Sequence, residues 1–144
     1  MSATATESGV AVRAAVEEVL ARYALGYDEG DLELLADCFT ADAELSMRVA
    51  DDAVAGPVRG RDAIVELVRE TARSQRDRRK HVLSNLVLDH AGDRARARTY
   101  LTLFAVADGA LRAITTGRYL AELRADSGEW RIAALRIELD LPFS

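Results

Sequence analysis

His81-Val-Leu-Ser-Asn-Leu-Val-Leu-Asp89 is where the apolar period of this chain changes, and the change decides its fold class. Before His81, apolar residues recur every three or four positions. From His81 onward they alternate, the pattern of a strand with two faces. Three more alternating segments follow, at about Arg94–Val106, Leu111–Leu123 and Trp130–Asp140. The turn-forming clusters His90-Ala-Gly-Asp93, Ala107-Asp-Gly109 and Asp126-Ser-Gly128 separate them. With no helix between the strands, the segment predicts an antiparallel meander, and helices followed by strands predict an α+β fold.

The same alternation assigns faces. His81, Leu83, Asn85 and Val87 are predicted to point one way, and Val82, Ser84, Leu86 and Leu88 the other. Both faces read as covered, one by the helices and the other by a second subunit. On the next strand Arg94, Arg96 and Arg98 share a side with Tyr100, Thr102 and Phe104, and on the third Gly117 shares a side with Tyr119.

Upstream, Val12, Val16, Val19, Leu20, Tyr23 and Tyr27 form the apolar stripe of a helix from Val10 to Asp28. Gly30 is its predicted stop, and Asp31 is placed to cap a second helix, about Leu32–Cys38. Asp28 then lies in the last turn of the first helix, where the helix dipole disfavours a carboxylate, so a functional reason for it is sought. A strand near Ala43–Val49, a turn through Asp51-Asp52 and Gly56-Pro57, a short return strand at Val58–Gly60 and a helix at Arg61–Ser74 complete the pattern. Beyond that helix stands a dense basic patch, Arg76-Asp-Arg-Arg-Lys80.

At 144 residues and 49% hydrophobic, the chain has the size and apolar content of one domain. We assign residues 1–9 to a flexible tail and 10–144 to the domain. A net charge of −5 argues against nucleic acid as a partner. The single cysteine, Cys38, excludes an internal disulfide and reads as a small buried residue. Two histidines in unlike settings, His81 on a strand and His90 in a turn, argue against a metal site. The N-terminal residues lack the basic start and apolar run of a signal peptide, and no apolar stretch is long enough to span a bilayer. The expectation is a cytoplasmic protein with no membrane partner.

Six motifs carry a family resemblance. They are Tyr27-Asp28-x-Gly30-Asp31, Phe39-Thr40-x-Asp42-Ala43, Gly60-x-x-x-Ile64, His81-x-x-x-Asn85, Gly117-x-Tyr119 and Gly128-x-Trp130-x-Ile132. With the order of elements, they resemble the SnoaL-like members of the nuclear-transport-factor-2-like superfamily over about Val10–Asp140. The resemblance implies a cone-shaped α+β barrel, a strongly curved, mainly antiparallel mixed sheet wrapped around three N-terminal helices, with a deep apolar pocket at one end. It also implies a homodimer through the outer sheet face. The scytalone dehydratase and dehydrochlorinase branch pairs an aspartate at the end of the first helix with a histidine at the start of the first long strand. Asp28 and His81 fall on those positions. A second histidine of scytalone dehydratase falls near Phe104 and a tyrosine near Met47. The oxyanion-stabilising tyrosine of the steroid isomerase branch falls on Tyr23, whereas its aspartate base and second acid fall on Met47 and Gly117.

A carboxylate beside an imidazole fixes its tautomer and raises its basicity, which makes a base for protons next to a carbonyl or a leaving group. The expected catalytic residues are Asp28 and His81. The expected substrate-binding residues are Tyr23, Tyr27 and Asn85, which would hold an oxygen, and Tyr100, Phe104 and Tyr119, which would form the walls. The expected function is that of a cofactor-free lyase, isomerase or cyclase acting on a small apolar oxygenated metabolite, polyketide- or terpenoid-like. The alternative is a non-catalytic binding or assembly module of the same fold.

Overall fold

In a computed structural model, residues 5–143 are described, with side chains from residue 8 onward. The elements run α1 (Ala5–Glu29), α2 (Leu32–Asp37), β1 (Phe39–Val49), β2 (Ala55–Arg59), α3 (Arg61–Ser74), β3 (Arg78–Ala91), β4 (Arg94–Ala107), β5 (Ala110–Asp126) and β6 (Glu129–Leu139). Helix α1 starts at Ala5, inside the stretch assigned to a tail. The first four residues lie outside the described part.

The six strands form one curved open sheet in the order β2-β1-β6-β5-β4-β3. Only β1 and β6 run parallel; every other neighbouring pair is antiparallel, giving the expected mixed α+β sheet with N-terminal helices packed on it. No described helix is long and apolar enough to cross a membrane.

The junction between the first two helices forms for local reasons. Gly30 takes φ +69°, which a residue with a Cβ rarely adopts, and allows a Schellman end. The Gly30 N–H donates to the Tyr27 carbonyl at 3.4 Å and the Asp31 N–H to the Gly26 carbonyl at 2.9 Å. Asp31 then accepts from the Leu34 N–H at 3.1 Å and caps α2. Gly26 is required by proximity, since a Cβ there would lie 2.9 Å from the Leu35 nitrogen. The two helices therefore touch backbone to backbone, and the end of α1 is held in one place.

Between the helices and the inner sheet face lies the core, with Val16, Tyr23, Leu35, Phe39, Tyr119 and Ile132 among its fully buried side chains. Strand β1 begins at Phe39, four residues before its predicted start, because Phe39 already pairs with Ile132. A bulge in β3 changes the face assignment. Ser84 pairs with Tyr100 and Val87 with Arg98, so Asn85 and Leu86 together oppose Thr99. Asn85 adopts φ +59°, and the buried Thr99 hydroxyl donates to the Ser84 carbonyl at 2.6 Å. Beyond the bulge Leu86 and Leu88 pack against the core, while Val87 is half exposed, the reverse of the simple alternation.

Candidate active site

Helix α1 delivers Asp28 at its last turn and β3 delivers His81 near its start; the fixed end of α1 brings them together. The Asp28 Oδ1 accepts from the His81 Nδ1 at 2.5 Å, and its Oδ2 accepts from the His81 backbone N–H at 2.9 Å. Both side chains are nearly buried, at 5% and 9% exposure. An ionised carboxylate can only accept, so the ring proton sits on Nδ1 and the lone pair on Nε2. Among the described residues Nε2 has no protein partner, and His81 stands in the wall of a cavity. The misplaced helix-end charge thus has a purpose: one carboxylate fixes both the backbone and the ring of the histidine.

The cavity measures about 110 Å³. Dividing by roughly 10–15 Å³ per water of the same measure gives room for on the order of ten water-sized groups, a single substituted ring. Its walls are mainly apolar, with Leu45, Leu101, Leu103, Ile137, Leu139 and Phe143 prominent. Tyr23, Tyr27 and Tyr119 also line it. The Tyr27 ring lies 4.5 Å from the His81 ring, and Tyr23 packs edge-on against both Tyr27 and Tyr119.

Burial pushes the Tyr23 hydroxyl well above its ordinary range, with neighbouring Tyr119, Tyr27 and Asp28 adding to the shift. Burial likewise raises Tyr119, partly offset by its hydrogen bond with Tyr23. Tyr27 is raised by burial and drawn back by Thr71 and Arg79. All three therefore remain neutral phenols in the cavity wall. Cys38 is buried, donates its thiol to the Leu34 and Val19 carbonyls, and has its pKa pushed up to about 12 by that burial, so it is inert packing.

Asp28, His81, Tyr23, Tyr27 and Tyr119 thus come together, and three other expected site residues do not. Tyr100 is 59% exposed and, with Phe104, lies on the outer sheet face. Their inward neighbours Leu101 and Leu103 form the wall instead. The signal was present: a face carrying Arg94, Arg96 and Arg98 does not point into an apolar pocket. Asn85 is turned out of the cavity by the bulge. Arg79, Thr71 and Gln75 line the cavity and were not expected there. Arg79 lies two residues before His81 on the same strand face, because β3 begins at Arg78. Among the described residues no three His, Cys, Asp or Glu side chains converge to hold a metal ion.

The model of the SnoaL-like domain matches residues 9–136. The chain belongs to the SnoaL-like family. The family includes cofactor-free isomerases, cyclases and dehydratases. Among solved structures, an Asp-to-Asn variant of a Mycobacterium tuberculosis protein of unknown function is 27% identical, with a TM-score of 0.83 over 95% of this chain and 76% of that one. A nuclear-transport-factor-2-like protein with a cystatin-like fold from Novosphingobium aromaticivorans is 26% identical, with a TM-score of 0.80 over 94% of this chain and 86% of that one. A Catenulispora acidiphila protein in complex with S-DNPA is 26% identical, with a TM-score of 0.78 over 91% and 95% of the two chains. No curated protein matches the chain.

Proposed function

We propose that this SnoaL-like protein is a cofactor-free lyase, isomerase or cyclase, in which His81 is the base and Asp28 holds it. The observation that carries the reading is the 2.5 Å Asp28–His81 contact, which leaves Nε2 unpartnered in the wall of an apolar cavity. Histidine is the side chain suited to gaining and losing a proton near neutral pH. Nε2 takes a proton from a carbon next to a carbonyl. The oxygen that gains charge is met by neutral tyrosine donors, whose hydrogen bonds strengthen in an apolar site. The imidazolium then returns the proton to another atom, or gives it to a leaving group on the neighbouring carbon as that group departs and the double bond forms. Among the described residues the cavity lining holds no carboxylate and no second histidine, which favours a reaction served by one base over one needing a separate acid. The cavity size favours a single-ring substrate over a fused polyketide.

Exchange of α-hydrogens of small cyclic ketones with deuterated water, followed by proton NMR, tests this directly. His81→Ala is expected to slow exchange about a hundred- to ten-thousandfold while ketone binding persists. If His81→Ala binds and exchanges as the wild type does, the assignment is wrong. The absence of a carboxylate or second histidine from the lining, among the described residues, also favours the alternative, a small-molecule-binding module without turnover. That reading expects binding without exchange in the wild type itself.

A further inference from the structure

The basic run Arg76-Asp-Arg-Arg-Lys80 reads as one patch in the sequence, and the fold divides it. Arg76, Arg78 and Lys80 are exposed. Arg79 turns inward on the face of β3 that carries His81, and both stand in the cavity wall. Residues two apart on a strand are separated by about 7 Å, so the two groups meet a ligand at different points.

A nearly buried guanidinium needs a partner, and Asp77 supplies it. The Arg79 Nε donates to the Asp77 Oδ1 at 2.8 Å, and Nη2 reaches Oδ2 at 3.5 Å. The side chains are 14% and 15% exposed. The pair engages one edge of the planar fork and leaves Nη1 without a protein partner among the described residues. The guanidinium is also close enough to draw down the titration of Tyr27, so its field reaches into the cavity.

Charge counting then says what suits Nη1. Asp77 cancels Arg79, and with a neutral imidazole the Asp28–His81 pair carries one negative charge. The site has no surplus cation. A carboxylate would add a second negative charge to an apolar space, whereas a ketone or hydroxyl oxygen accepts a hydrogen bond without that cost.

We infer that Arg79 sets the specificity of the cavity: its Nη1 donates to a neutral oxygen of an otherwise apolar, ring-sized ligand, and its pairing with Asp77 excludes carboxylates. The inference rests on the proposed site but not on turnover there. Arg79 is a binding residue, and it also selects which ring carbon faces His81.

Calorimetric titration with cyclohexane, cyclohexanone and cyclohexanecarboxylate provides the test, with folding of each variant checked by circular dichroism and thermal melting. The wild type is expected to bind the ketone about tenfold to a hundredfold more tightly than cyclohexane, the range for a hydrogen bond to a charged group. The carboxylate should bind at least about tenfold more weakly than the ketone. Arg79→Lys keeps a cation beside Asp77 but removes the fork, and should reduce the advantage of the ketone over cyclohexane to below about threefold. Asp77→Asn should bring the carboxylate level with the ketone or past it. Should Asp77→Asn fail to fold, the wild type and Arg79→Lys decide the matter. An undiminished ketone advantage in Arg79→Lys, a wild type that gains nothing from the ketone oxygen, or one that favours the carboxylate overturns the inference. So does failure of the ketone to bind. If these preferences hold while His81→Ala exchanges deuterium at the wild-type rate, the catalytic reading falls and this one stands. If His81→Ala loses exchange while the preferences are missing from the wild type, the catalytic reading stands and this one falls.

Discussion

Two carboxylates in this molecule are almost equally covered and differ in what covers them. Asp28 spends both oxygens on one histidine, on the inner side of the sheet edge. Glu138, between the cavity residues Ile137 and Leu139 on β6, points to the outer face and meets three arginines. Arg118 Nε lies 2.7 Å from its Oε1, and Arg48 Nη2 and Arg136 Nε lie 2.9 and 3.1 Å from its Oε2. Low exposure alone therefore does not distinguish a chemical site from an architectural one. An arginine keeps its proton and its charge, so the Glu138 cluster has one state. Asp28 instead holds an imidazole, the side-chain type suited to general acid–base chemistry.

The strongest way to break this comparison is Asp28→Asn. The amide oxygen can still accept from the His81 backbone, but the charge that holds the Nδ1–H tautomer is gone. Deuterium exchange should fall by about a hundredfold or more with little change in the melting temperature. A variant that melts much lower yet exchanges normally would make Asp28 architectural, like Glu138.

Glu138→Gln should show the opposite profile. Catalysis is unaffected, and stability falls by about 1 kcal/mol, a modest figure because the arginines themselves are well exposed and solvent screens the cluster. Arg118 foremost, then Arg48 and Arg136, holds the Glu138 carboxyl below its ordinary range. Its contribution is fully present above the unfolded glutamate value of about 4.3 and is lost as pH falls through the lower folded value. Urea unfolding between neutral and acid pH should show a shallower acid limb in the variant.

The smallest effect lies at the alkaline end. Tyr23, Tyr119 and Cys38 are all raised by burial, so the folded protein keeps protons that the unfolded chain releases. Stability is complete below the unfolded thiol value of about 8.5 and declines as pH rises through the unfolded tyrosine value of about 10 and beyond. Tyr119→Phe should flatten the part of the decline above about pH 10. An unchanged limb would mean that the Tyr119 hydroxyl is open to solvent.

How much of this was legible depended on whether the cause was local. The end of α1 at Gly30, the cap at Asp31 and the four long strands follow from neighbouring residues, and the sequence reading places them closely. The bulge at Asn85 does not follow in that way. It depends on Thr99, fourteen residues further on, reaching the Ser84 carbonyl, and no pattern within β3 announces it. Arg79 was hidden by its company, since five polar residues in a row read as a solvated run until strand alternation turns one of them inward. Tyr100 and Phe104 were legible and misassigned, because their aromatic character was weighed above the three arginines sharing their face.

One contact has a meaning separate from chemistry. Strand β3 ends the sheet, and its free side is a row of hydrogen-bonding groups open to any passing extended chain. Helix α1 occupies that row at two places, with Asp28 on the His81 N–H and Arg13 Nη2 on the Leu86 carbonyl, 3.1 Å away. The aspartate proposed to hold a base therefore also covers part of an open sheet edge. A descendant that lost all activity would still have a solubility reason to keep an aspartate at this position.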